Sequence, residues 1–372
     1  MAVVTGHLFS TSFGGGRQRC RGVVAGPLRK RPAALVGATI LVALSACSAG
    51  LGRPETGGER PSIAPDTGPA FGQAPCTRIA QAPWLARETL SHLWARGEDD
   101  IWVVADRGAL HRFDGTRWTR AIEADVTRPL NDVHGTSSGE VIAVGQRGLV
   151  LAYDGARWES LSIADRENVF GVWVLDGGRA IAVGSDGGIY ERSGGSWTHP
   201  LVAPWDDPWS GHRDALFAVW GVGSTDAWAV GELGVVLRWD GSTWAHESSG
   251  TTALLVDVWG SGTDDVWAVG QGGTILHRDG HAWTARPEVE GYTLIAVSGT
   301  GPGDVWILGR SRAPDPDLIE SDPHGLLLHG NGASLSRVAE LRPPPNDIFA
   351  VAPGTTLVVG EDATVLRCRA TR

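Results

Sequence analysis

Residues 258–283, VWGSGTDDVWAVGQGGTILHRDGHAW, are one copy of a unit that recurs along the chain, and this recurrence restricts the fold more than any other feature. The unit reads as an apolar strand, a Gly/Asp turn, the strand DVWAVG, a tight turn QGG, the strand TILHR, an Asp279-Gly280 turn and a strand opened by Trp283. Four short strands joined by hairpin turns make one antiparallel sheet, and Asp-Gly suits such hairpins because both central residues take positive φ. Aligned on the second strand, the copies are IWVVADRG (101–108), VIAVGQRG (141–148), AIAVGSDG (180–187), AWAVGELG (227–234), VWAVGQGG (266–273), VWILGRS (305–311) and LVVGEDA (357–363). The residue that ends this strand falls at Ala105, Gly145, Gly184, Gly231, Gly270, Gly309 and Gly360, at spacings of 40, 39, 47, 39, 39 and 51. A first strand precedes each copy: HLWA, DVHG, GVWV, AVWG, DVWG, AVSG and AVAP.

A four-stranded unit of about 40 residues, repeated four to eight times, is the signature of a β-propeller. The expected fold class is therefore all-β, a seven-bladed β-propeller of four-stranded antiparallel blades. The chain ends complement one another: the seventh copy stops without a fourth strand, while Cys76-Thr77-Arg78 matches the outer-strand sequence Trp118-Thr119-Arg120 with Cys in the Trp position. The N-terminal strand is expected to complete the last blade and close the ring, giving a monomeric domain over 76–372. Cys76 and Cys368 both fall in that closing blade, and in an oxidising compartment they are read as a disulfide; two unrelated free thiols are the alternative.

The first residues bear on the compartment. Six basic groups and no acid precede residue 47, ending in Arg29-Lys30-Arg31, and are followed by the apolar run 33–46. That run has the length of a signal-peptide core and is shorter than a membrane-spanning helix. It ends Leu44-Ser45-Ala46-Cys47, which resembles the lipobox of bacterial lipoprotein signals. The resemblance implies removal of 1–46, lipidation of Cys47 and anchoring to the membrane, with Ser48 favouring the outer membrane; an ordinary secretory signal is the alternative. Residues 47–75, rich in Gly and Pro, read as a disordered tether. Of 32 basic residues, 26 remain after residue 46 against 42 acidic ones, a formal −16. A domain so acidic gains nothing from counterion release, and nucleic acid is not an expected partner.

Most of the 17 tryptophans recur at fixed positions: Trp94, Trp173, Trp220 and Trp259 in the first strand, Trp102, Trp228, Trp267 and Trp306 in the second, and Trp118, Trp158, Trp197, Trp244 and Trp283 opening the fourth. Recurrence points to packing between blades rather than to sugar stacking. Asp100, Asp226, Asp265 and Asp304 stand before the second strand and are expected to brace the first turn through bonds to backbone, with calcium ligation as the alternative. No cofactor or metal motif is present.

The phrase DVWAVGQGGTILHRDGHAW, with variants in at least five copies, resembles the repeats of BNR/Asp-box propellers and of photosystem II assembly-factor-like propellers. The resemblance covers about 91–370 and implies the fold. Functions in such proteins range from sialidase activity to assembly. The chain lacks the Ser or Thr that usually precedes the Asp of the box, a departure that weighs against the glycosidase branch.

Function is sought in what the repeat leaves over. Successive turns of an antiparallel sheet alternate between two rims, so the second-to-third-strand turn and the blade-to-blade link share one face. The long link 203–214 (APWDDPWSGHRD), the long turn 310–325 (RSRAPDPDLIESDPHG) and the link 342–347 belong to that face. Trp205, Asp206, Asp207, Trp209 and His212 in the first, with Asp315 and Asp317 in the second, are candidate binding residues, suited to stacking on and hydrogen bonding to a glycan or peptide. A packed-down lid is the other reading of the Trp205 loop. Tyr292 lies two residues from Glu290 on the same face and is the one pair with which a sialidase-like hydrolase could work, given a cluster of arginines nearby. The favoured reading is a non-catalytic, lipid-anchored envelope protein that binds a protein or glycan partner; the alternatives are that hydrolase and a purely structural or assembly scaffold.

Overall fold

The computed structural model describes residues 75–79, 85, 88–122, 128–163, 167–175, 177–199, 214–312, 323–331 and 334–370. The leader, Cys47 and most of the tether lie outside the described residues. Seven four-stranded antiparallel sheets follow one another, six in simple chain order and the seventh completed from the other end of the chain. Blade 5 is representative, with strands Leu255–Gly262, Asp265–Gly270, Ile275–Arg278 and Trp283–Ala285. The first strand of every blade touches those of the blades before and after, and that of blade 7 touches blade 1. The chain is a seven-bladed β-propeller.

The second strands are apolar at consecutive positions, as in Val141–Gly145 and Ala227–Gly231, where every residue is buried. Each lies inside a sheet whose two faces both pack on neighbouring blades, so alternation gives way to a continuous apolar run. The glycine that ends this strand is required by contact. A Cβ at Gly270 would stand 2.0 Å from the Leu254 carbonyl oxygen, and the positions in blades 2, 3 and 4 are as tight.

Tryptophan and glycine fit together across the seams. The Trp94 ring lies on Gly135 of the next blade, Trp220 on Gly260 and Trp259 on Gly299, so close that a Cβ would come within 2.5–2.8 Å of the ring. The fourth-strand tryptophans close the outer part of the same seams. Trp244 Nε1–H donates to Glu191 of the preceding blade at 3.0 Å, and Trp283 Nε1–H to Glu247 at 2.9 Å.

Two expectations need correction. The acids before the second strand mostly hold side chains rather than backbone. Asp100 binds Arg96 and Arg112, Asp226 binds Arg238, and Asp265 takes Ser261, Trp267 Nε1 and His277. Asp304 binds Thr300 and His329 and, alone of the four, a backbone N–H, that of Gly354. The cause is the antiparallel register, which sets a third-strand Arg or His opposite the second-strand Trp (Arg112 to Trp102, His277 to Trp267), where its cation or ring also stacks on the indole. The first strand of blade 7 is the second correction. Asp347 pairs with Val359 as Asp257 pairs with Val269, so the matching stretch is Asp347-Ile348-Phe349-Ala350, three residues before AVAP, and Asp347 belongs to a strand rather than to a link.

The ring closes as expected. Cys76–Arg78 pairs with Val365–Arg369 in the register Cys76 to Cys368, and those two cysteines form a disulfide across 292 residues of sequence. Replacing both cysteines by serine should lower the unfolding free energy by about 2–5 kcal/mol in urea denaturation, because the short pairing strand then holds the closure alone. Unchanged stability would mean that the three-residue pairing suffices.

Candidate functional site

The first strands line a central channel, and the bulge near the start of each turns two adjacent side chains towards it. The residue after the bulge is His92, Asp132, Gly171, Ala218, Asp257, Ala296 or Asp347 in blades 1 to 7, each opposite a second-strand Val or Leu. One position nearer the loop-bearing face stand Ser91, Asn131, Phe170, Phe217, Val256, Ile295 and Asn346, all partly exposed. The channel mouth is thus apolar over blades 3 to 6, where the Phe170 and Phe217 rings lie 5.4 Å apart, and polar over blades 7, 1 and 2.

Three carboxylates define the layer beneath the mouth. Each accepts one N–H from its own strand and one from the next blade: Asp132 from Val133 (2.7 Å) and Val172 (2.8 Å), Asp257 from Val258 (2.8 Å) and Val297 (2.7 Å), Asp347 from Ile348 (2.8 Å) and Leu93 (2.9 Å). Both oxygens of each side chain are used, which explains Asp rather than Asn. Asn131 and Asn346 add side-chain donors to Val169 O and Leu90 O, each at 2.7 Å, across the same seams as their Asp neighbours. Each of these aspartates is partly exposed as a residue, yet protein surrounds its carboxylate, and this desolvation raises the Asp132 and Asp257 carboxyls to about 7 and Asp347 well above the usual range. Repulsion within the ring adds to the shift: Asp347 feels both Asp257 and Asp132. His92 and His134 are pushed the other way by burial, to about 4 and about 3.

The sequence-derived candidates divide. Trp205, Asp206, Asp207, Trp209, His212, Asp315 and Asp317 lie outside the described residues. Their flanks are described: the first insertion leaves the outermost strand of blade 3, Ser196–Thr198, and re-enters at the innermost strand of blade 4, Leu216–Val222, and the second joins the two middle strands of blade 6, Asp304–Ser311 and Gly325–Gly330, so both open on the same face of the ring. Tyr292 opens the first strand of blade 6 and is buried in the seam with blade 5, its hydroxyl 2.9 Å from His324 Nε2. Burial raises its phenol, the reverse of what a nucleophile needs, and Glu290 is exposed. Of the arginines nearby, Arg310 is engaged by Asn346 and Glu361, while Arg337 and Arg342 lie in or after the outermost strand. The charges of Arg337 and Arg342 reach the phenol and oppose its rise, but burial outweighs them.

No protein-family model and no curated protein matches the chain. Solved structures do. The structure of YCF48 bound to D1 peptide is similar at TM-score 0.61 and 21% identity, over 82% of this chain and 99% of that one. YCF48 from Cyanidioschyzon merolae gives 0.60 and 17%, over 80% and 99%. The WD40 β-propeller domain of Doa1 gives 0.62 and 14%, over 81% and 97%. The likeness is one of fold.

The titration of the acid ring has a sign that can be tested. A folded carboxyl that holds its proton to about pH 7, against 3.8 for an unperturbed aspartate, stabilises the fold at low pH and loses that contribution as pH rises through about 4 to 7. The buried histidines oppose it, so a single variant isolates the effect better than the native profile. Asp257→Asn loses an acceptor at every pH but also the charge, and its deficit relative to native should be larger at pH 5 than at pH 8 by about 1–3 kcal/mol, read by urea unfolding at both. A deficit that grows with pH would contradict the raised carboxyl.

Proposed function

We propose that the chain is a lipid-anchored, non-catalytic β-propeller of the bacterial cell envelope that binds a protein or glycan partner through its loop-bearing face. The observation that carries the binding reading is the convergence, on one rim of a closed ring, of the flanks of both long insertions with a channel mouth that is half apolar and half polar. A rigid support with variable loops at one face is a common arrangement for recognition. YCF48, of similar fold, has been solved with a D1 peptide, which supports a protein partner over a glycan. The anchor rests on the sequence: the basic region, the apolar run 33–46 and Leu44-Ser45-Ala46-Cys47, with Ser48 favouring the outer membrane. Kinship with BNR/Asp-box or assembly-factor-like propellers rests on the repeat phrase.

The sialidase-like alternative is disfavoured by the placement of Tyr292, buried, in contact with His324 and with its phenol raised by burial. A purely structural or assembly role is the outcome if no ligand exists. Replacing Trp205 and Trp209 by alanine should lower capture of the partner from envelope extract, or binding on a glycan array, by about tenfold or more, with the unfolding midpoint unchanged. Retained binding would remove this loop from the site.

A further inference from the structure

On the face opposite the insertions, blades 1 and 2 leave a half-open cavity of about 200 Å³ between them. Its walls include Trp94, Trp102 and Tyr153, and its charged groups are Arg96, Arg112 and Asp100. The charges do not balance. Asp100 serves both arginines, taking Arg112 Nε–H on Oδ1 at 2.8 Å and Arg96 on Oδ2. Arg96 uses its other amino group on Ser137 O.

Arg112 is held but not saturated. Its guanidinium lies 5.0 Å over the Trp102 ring and is bonded through Nε alone, and among the described residues neither terminal amino group has a hydrogen-bond partner. Blade 4 shows the balanced form of the same arrangement. There two acids face two arginines: Arg238 meets Asp226 at 2.8 Å and Glu247 at 3.7 Å, and Glu247, from the fourth strand where blade 1 carries Ala121, also holds Arg278 of the next blade. Blade 1 therefore keeps a fixed guanidinium whose end-on pair of donors, backed by an indole, is open.

We infer that this cavity is a second binding site, one that receives a single carboxylate, from the C-terminus or an acidic side chain of a peptide, on the end-on edge of Arg112. A guanidinium fork matches a carboxylate bidentately, and aromatic walls accept the carbon atoms that bear it. The volume is below the roughly 300–1,000 Å³ of a drug-sized ligand pocket and suits a group the size of one residue. The net charge of the molecule, −10, opposes a polyanion more than a single carboxylate.

The test uses the full chain, labelled with ¹⁵N and read at its indole N–H signals. Acetyl-trialanine acid, its C-terminal amide, and the amide with a central glutamate are the probes. Saturable shifts confined to Trp94 and Trp102 are expected with one or both carboxylate probes, and the pair distinguishes a terminal from a side-chain carboxylate. Binding should weaken about tenfold or more in the plain amide and in Arg112→Gln, and less in Arg112→Lys, which keeps the charge but not the fork. Asp100→Asn removes the competing acid and should bind more tightly than native, a gain that misfolding cannot mimic. The inference is overturned by equal binding of acid and amide, by Arg112→Gln binding as native does, by inorganic phosphate binding more tightly than either carboxylate probe, or by no saturable shift up to about 10 mM probe.

Discussion

The contact on which the ring depends is an indole laid on a glycine. Where Trp94, Trp220 and Trp259 cross into the next blade, Gly135, Gly260 and Gly299 leave no Cβ to hold the ring away, and neighbouring sheets approach to the thickness of one aromatic side chain. Repetition of that contact sets a wedge of similar size between blades, and seven wedges close a circle. Polar devices join this packing, beside Trp259 as Asp257 on Val297 N–H and more densely where tryptophan is missing from the first strand. Blades 2, 6 and 7 place His134, Ser298 and Phe349 at the tryptophan position, and around them the seams carry Asp132 on Val172 N–H, His134 Nδ1 on Val174 N–H, Ser298 Oγ on Ala350 N–H and Asp347 on Leu93 N–H.

A ring braced in this way has little freedom for its blades to move, and the variable parts are pushed to the rims. The two rims differ in chemistry. The one that bears the insertions surrounds a channel whose mouth is apolar on one side and whose next layer is three carboxylates sharing a confined space. The other carries the second-strand acids and their Arg and His partners, nearly all paired within a blade or across a seam. Between blades 1 and 2 the pairing falls short by one acid, and this shortfall separates a structural arginine from a recognising one.

Much of the fold was legible in the sequence because the repeat exposes it. The AVG glycines, the Asp-Gly hairpins and the tryptophan positions each state a local geometry, and the copies agree. Closure was legible from Cys76-Thr77-Arg78 standing in for the missing strand. The register of blade 7 was not, since Asp347-Ile348-Phe349-Ala350 and Ala350-Val351-Ala352-Pro353 both offer an apolar pattern and only pairing with the second strand separates them. The same slip hid the acid ring: with Asp347 assigned to a link, Asp132 and Asp257 look like two unrelated polar residues in strands. Tyr292 was misleading for a different reason. Its distance in sequence from Glu290 is short, but the strand that starts at Tyr292 turns the ring into the seam and leaves the glutamate on the surface. Trp205, Trp209 and the acids of the two insertions rest on sequence alone.

The most direct test of the seam is a double-mutant cycle on Trp220 and Gly260, followed by urea unfolding. Gly260→Ala places a Cβ 2.7 Å from the Trp220 ring and also crowds the Asp265 carbonyl, whereas a Cβ at Gly301, which ends the first strand of blade 6, would meet nothing within 4 Å. The account predicts that Gly260→Ala costs about 1–3 kcal/mol while Gly301→Ala is close to neutral, and that Trp220→Leu with Gly260→Ala loses less than the sum of the two. Strict additivity, or a Gly260→Ala protein as stable as native, would contradict it.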